Sequence, residues 1–297
     1  MVIKNLVLSG GAAIGFSYFG ALRHLIEKSY LDLNQLDNIY CTSVGSIIGV
    51  SLLLKYDLSI LEDYFINRPW HELFKISPMK IIETYQTKGL FGQFHIVEFL
   101  KPLVKGKNLE VDITLKELYE FSNTNLYINC VEINDEHGLN PLTLSWQTHP
   151  DLKVSEAIQM TSCIPLLIQP LILNNKYIID GGFLTNYNSL ECLHKNTDDE
   201  SFGLRYEIIN QLPQESTLID NDQINIFHFL AMCHFKINQF IKKHIDEPHL
   251  KNEIIIRVDT SPLDTTLLKT IMSNKEVRKE WMEKGKLAAI EYLDSRV

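Results

Sequence analysis

Three short stretches of this chain carry residue types that can do acyl-transfer chemistry. Cys41-Thr42-Ser43-Val44-Gly45 differs from the strand-to-helix pattern G-x-S-x-G only at its first position. That pattern holds a serine on a sharp turn with its hydroxyl clear of the backbone, and it wants small flanking residues because strand and helix nearly touch. A serine held so can act as a nucleophile. A serine in the same place can also simply cap the helix that follows, and these five residues alone do not separate the two. Ser9-Gly10-Gly11-Ala12-Ala13-Ile14-Gly15 is a loop of mostly small residues between an apolar run and a helical pattern. Its N–H groups can point outward unobstructed, beside the positive end of a helix, which suits a phosphate or a developing oxyanion. Tight strand–helix packing would use the same residues. Asp180-Gly181-Gly182 closes a strand-like run, where open α/β sheets gather their functional groups. An acid there can deprotonate a serine, or only hold its own turn.

Elements distant in the chain must bring these groups together. Residues 6–8 read as a buried strand, 15–28 as a helix, 39–42 as a second strand and 47–54 as an apolar helix. Strands are expected at 126–133, 142–146, 176–180, 202–209 and 253–258, and helices near 154–161, 225–244 and 276–293. Residues 58–105 read as a helical, irregular insertion. The alternation predicts a three-layer α/β/α sandwich with a mostly parallel central sheet. A single domain over 1–297 is expected, with its motifs in about 5–190 and the strand and helices of 200–297 packed on that core.

With 297 residues, 45% apolar and 22% charged, the chain can bury a sizeable core and is not intrinsically disordered. Its formal charge of −9 argues against nucleic acid as a partner. The five cysteines contain no CxxC pair, which reads as reduced, buried thiols. HExxH and Asp-x-Asp-x-Asp loops are both missing, so no metal and no cofactor is expected. The N-terminus lacks the features of a signal peptide, and the longest apolar stretch, 47–54, is too short to span a membrane. An intracellular protein, soluble or peripheral to a membrane, is expected.

The order strand, Gly-rich loop, serine turn and distal Asp-Gly-Gly resembles the patatin-like phospholipase family. Three further blocks are similar to that family: Gly15-Phe16-Ser17-Tyr18-Phe19-Gly20-Ala21-Leu22-Arg23, Lys88-Gly89-Leu90-Phe91-Gly92, and the run from Ala157 through Thr161 to Pro165. The resemblance implies a serine lipid acyl hydrolase working through a Ser-Asp dyad on phospholipid or related acyl esters. Ser43 would be the nucleophile, Asp180 its general base and acid, and Gly10, Gly11 and Ala12 the N–H donors of the oxyanion hole. Three positions depart from the pattern. Ala12 replaces a third glycine and is tolerable only at negative φ. Ile14 replaces a basic residue. Cys41 replaces the first glycine of the serine turn. They motivate the alternative of a catalytically silent module of the same fold that binds lipid or protein. His149 and His194 are the nearest histidines for a triad, and each reads more simply as a surface or structural residue.

Between Arg68 and Lys107 the charge balance reverses, with seven basic residues against three acidic, amid many aromatics. This reads either as a solvated face of the helical insertion or as a surface for peripheral contact with anionic lipid.

Overall fold

The computed structural model describes residues 2–136, 138–209 and 247–296, with isolated positions between 229 and 245. The chain opens with β1 (Asn5–Leu8), α1 (Gly15–Glu27), β2 (Asn38–Thr42) and α2 (Val44–Leu53). Every residue of β1 is buried because helices cover both of its faces. Leu6 and Leu8 belong to the main apolar cluster, while Val7 joins Cys192 and Leu250 on the other side. A continuous apolar run is what a central parallel strand requires.

The insertion comprises α3 (Leu58–Asn67), α4 (Trp70–Leu73), α5 (Pro78–Thr87), the short strand β3 (Gly89–Phe91) and α6 (Gln93–Lys105). Next comes α7 (Leu115–Ser122), which is not among the predicted elements. Its signal is a capping box: Thr114 Oγ1 accepts the Glu117 N–H at 3.2 Å, and the Glu117 carboxylate accepts the Thr114 N–H at 2.8 Å. β4 (Asn125–Asp135) and β5 (Gly138–Leu144) form a hairpin. β5 starts earlier than the predicted 142–146 because Gly138, at φ 112°, lets the chain turn straight back. It stops at Leu144 because Thr148 Oγ1 takes the Ser145 N–H at 3.1 Å. The chain continues through α8 (Val154–Thr161), β6 (Leu166–Ile168), β7 (Leu171–Leu173), β8 (Lys176–Asp180), α9 (Ser189–Lys195), β9 (Ser201–Ile208), β10 (Glu253–Val258), α10 (Thr265–Ser273) and α11 (Lys275–Asp294). The helix expected over 225–244 falls mostly outside the described residues.

The eight-stranded sheet has the order β10-β9-β1-β2-β4-β8-β7, with β5 on the other edge of β4. β10, β9, β1, β2 and β4 are parallel, and β5, β7 and β8 pair antiparallel. β3 and β6 form a separate parallel pair. Helices lie on both sides of the main sheet, the three-layer arrangement expected from the alternation.

The loop before α1 is held in place partly by the seat of α1 on α11. The two helices cross where neither has a side chain: a Cβ on Gly20 would strike the Met282 carbonyl, and one on Gly285 the Ser17 carbonyl. Ser17 Oγ donates to the Trp281 carbonyl at 2.7 Å at the same crossing. An isolated helix gains about 1 kcal/mol when glycine becomes alanine. Gly285→Ala should instead destabilise this protein by roughly 2–3 kcal/mol, because the backbones must part. Denaturant titration checks the sign as well as the size.

Candidate active site

β4 decides where the chemistry can gather. Thr42 of β2 pairs with Asn129, and Asp180 of β8 pairs with the next residue, Cys130. β2 runs parallel to β4 and β8 antiparallel, so the two strands arrive head to head along one edge of β4. Their C-terminal ends, carrying Ser43 and Asp180, therefore meet.

Ser43 stands at the turn from β2 into α2 with φ 51° and ψ −124°, outside the strand and helix regions. It occupies the capping position of α2, yet its side chain makes no capping hydrogen bond. The simple capping role is therefore not what this hydroxyl does. Its backbone is fixed instead. The Ser43 N–H donates to Thr161 Oγ1 at 2.9 Å, and the Ser43 carbonyl accepts Ser46 Oγ–H at 2.6 Å. Gly45 explains why the turn needs a small residue: a Cβ there would lie 2.5 Å from the Leu8 carbonyl oxygen. Cys41 is tolerated because its side chain turns away into the core, where Sγ lies 3.4 Å from the Tyr127 carbonyl.

Asp180 is 4% exposed. Its Oδ1 accepts the Gly182 N–H at 2.7 Å, and its own N–H donates to the Cys163 carbonyl at 3.1 Å. Burial pushes the carboxyl up to about 7, although the Gly182 N–H and a hydrogen bond from the Ser43 side chain both favour the charged form. Serine and acid thus stand at one junction of strand ends, and burial brings the acid's pKa into the neutral range.

The Gly-rich loop approaches from the β1 side. A Cβ on Gly10 would come within 3.2 Å of the Ser43 Cβ. The three N–H groups assigned to this loop are not equivalent. The Gly10 N–H already donates to the Asn186 carbonyl at 3.1 Å, whereas no acceptor among the described residues meets those of Gly11 and Ala12. The Gly10 N–H is thus already engaged within the fold. A correction concerns Ala12, whose φ is 42° and not negative. Its methyl is carried in a left-handed conformation, at a cost on the order of 1 kcal/mol. Ala12→Gly is therefore expected to raise stability by roughly 0.5–1 kcal/mol in denaturant midpoint. Ile14 is wholly buried, so it offers nothing to a ligand at this loop.

Sequence reasoning missed the residues that tie these parts together. Thr161 Oγ1, besides holding Ser43, donates to the Asn129 carbonyl at 2.6 Å, and Asn129 Nδ2 donates to the Thr185 carbonyl at 2.6 Å. Asn186 Nδ2 donates to the Gly10 carbonyl at 3.3 Å. The carboxylate of Glu247 in turn accepts the Asn186 and Tyr187 N–H groups at 2.6 and 3.1 Å. Tyr18, fully buried, fixes the loop from beneath by donating to the Gly10 carbonyl at 3.2 Å. No local pattern marks Asn129, Asn186 or Glu247, since each acts across long chain separations. His149 sits beside Thr148 Oγ1 at 2.8 Å and His194 is exposed; neither bonds to Ser43 or Asp180. Among the described residues, no three His, Cys, Asp or Glu side chains gather as a metal site, and all five cysteines are free.

This fold, with a Gly-rich loop, a serine turn and an Asp-Gly-Gly turn converging at the strand ends, defines a class of α/β proteins by its arrangement. The chain matches the patatin-like phospholipase family over residues 6–193 and belongs to it. It is 24% identical over 260 residues to an uncharacterized protein of Acanthamoeba polyphaga mimivirus, covering 86% of this chain and 84% of that one. It is 28% identical over 186 residues to a probable lipid hydrolase of Invertebrate iridescent virus 6, covering 62% of this chain and 61% of that one. Among solved structures, VipD from Legionella pneumophila superposes with TM-score 0.53 at 17% identity, over 99% of this chain and 67% of that one. The type III effector ExoU superposes with TM-score 0.51 at 11% identity, over all of this chain and 53% of that one. At such identities the two structures speak for the fold alone.

Proposed function

We propose that this protein is a lipid acyl hydrolase that cleaves carboxylic esters of phospholipids or related acyl lipids through Ser43 and Asp180. One observation carries the proposal: an uncapped serine at a strained turn and a buried carboxyl, its pKa pushed up to about 7, meet where β2 and β8 end on adjacent residues of β4. The family and the viral lipid hydrolase supply the substrate class. Asp180 takes the Ser43 proton as Oγ attacks the ester carbonyl carbon. The oxyanion is met by the N–H groups of Gly11 and Ala12. Collapse expels the alcohol, which recovers the proton from Asp180 and leaves an acyl group on Ser43. Water, deprotonated by Asp180, then releases the fatty acid and regenerates the serine. Peripheral contact with a membrane through 68–107 belongs to the same proposal; no helix among the described residues is long and apolar enough to cross one.

The left-handed Ala12 and the occupied Gly10 N–H favour a second reading, a silent binding module of the same fold. A fluorophosphonate probe decides between them, because it reacts only with an activated serine. Labelling of the wild type and none of Ser43→Ala is expected. An unlabelled, folded wild type would sink the hydrolase.

A further inference from the structure

The aromatic content of residues 68–107 is mostly not a surface at all. Trp70, Phe91 and Phe99 are buried in the core, while Tyr85 and Phe94 are exposed. The surface apolar groups lie instead on and around α5. Ile76, Met79, Ile81, Ile82, Tyr85 and Phe94 are all half or more exposed, with Tyr85 at 94%. Met79, Ile82 and Tyr85 recur every three residues, so they share a helix flank.

The helix is well made for its length. Ser77 Oγ accepts the Lys80 N–H at 3.2 Å, Pro78 occupies the first turn, and Lys88 closes it in the left-handed conformation. Yet its polarity is reversed. The inward side holds Thr84, whose hydroxyl bonds the Lys80 carbonyl at 2.8 Å, and Lys80, whose Nζ lies 2.7 Å from His95 Nε2 and 4.6 Å from the Phe91 ring centroid. Soluble helices normally bury their apolar stripe. A helix that turns it outward keeps it for another apolar phase.

We propose that the outward face of α5 docks on the surface of an anionic lipid aggregate. Its charges favour that occupant over a protein partner. Lys75 and Lys88 bracket α5, whose one carboxylate is Glu83, and neither lysine pairs with a carboxylate among the described residues, against a net −9 for the whole chain. The docking face is also joined to the candidate active site. Phe91, under Lys80, shares an apolar cluster with Cys163 and Ile179, and the Cys163 carbonyl holds the Asp180 N–H. This inference rests on the hydrolase reading for the choice of lipid as substrate, but its test does not need turnover.

Full-length protein is sedimented with vesicles of mixed phosphatidylcholine and phosphatidylglycerol, and with pure phosphatidylcholine. The wild type should partition to the mixed vesicles, less so as salt rises. Ile82→Ser/Tyr85→Ser should lose roughly 100-fold in partition, since two exposed apolar side chains no longer enter the lipid. The same variant should hydrolyse a monomeric soluble ester, p-nitrophenyl butyrate, as fast as the wild type, which also reports that it folds. Equal partition of variant and wild type overturns the proposal. So does a wild type that binds neither vesicle while cleaving the soluble ester, or one whose apolar face holds a dimer that the variant dissolves. If the wild type partitions as stated but cleaves no ester, the docking face stands and the hydrolase falls.

Discussion

Ser43→Ala should lower ester hydrolysis by at least roughly 10³-fold, with the unfolding midpoint nearly unchanged. The two halves of that result have separate physical grounds. The hydroxyl is the atom that would form the acyl bond with Asp180 as its base. The fold, by contrast, draws little from the hydroxyl, since it does not cap α2. What holds the turn is the Ser43 backbone, through Thr161 and Ser46, and alanine keeps both bonds. Alanine and serine also bear the same penalty at φ 51°. Kinetics on a soluble ester and thermal melts on the same samples check both halves. A variant with undiminished turnover would remove Ser43 from the mechanism.

Asp180→Asn has the second large effect and acts in opposite directions on rate and stability. The rate should fall roughly 10²–10⁴-fold, since the amide cannot accept the serine proton. With Asp180 as the proposed base the carboxylate would be the active form, so kcat/KM should rise with pH through about 7 and level off above it. At pH 6 it should be about tenfold below the plateau. A profile flat from pH 5 to pH 8 would exclude Asp180 as the base. The stability sign follows from the same shift. The folded pKa of about 7 lies above the ordinary 3.8, so between those values the native state binds the proton that the unfolded state has lost. Stability contributed by this group is present below pH 4, declines as pH rises, and is lost above pH 7. Asp180→Asn escapes that decline. Its melting temperature should exceed that of the wild type at pH 8, and the gap should narrow towards pH 5.

The parts of the site legible in the sequence are the local ones. The turn at Ser43 and the loop at Gly10 to Gly15 announce themselves because small residues are needed wherever backbones nearly touch. The structure puts the Leu8 carbonyl against Gly45 and Val44 against Gly15. Periodicity likewise marks β1, α1, β2, α8 and β8 close to their true bounds, since each buries a regular pattern. The helix α7 had a readable sign, the capping box at Thr114 and Glu117, in a segment without a strong apolar stripe. The early start of β5 depends on Gly138, which looks like any turn glycine until the hairpin closes.

Residue types and short-range geometry therefore determined the chemistry on offer: a serine at a sharp turn, an acid at a strand end, a loop of small residues, and the family to which that order belongs. The tertiary structure alone decided which groups touch and in what state. Serine and acid meet because β2 and β8, more than a hundred residues apart in the chain, each pair with β4 and end head to head on it. The raised pKa comes from burial by side chains drawn from the whole chain. Asn186 and Glu247 set which N–H groups of the loop stay free, and packing alone turns Trp70, Phe91 and Phe99 inward and the face of α5 outward. A sequence specifies local backbone and side-chain chemistry directly, but contact, solvation and exposure are properties of the assembled fold.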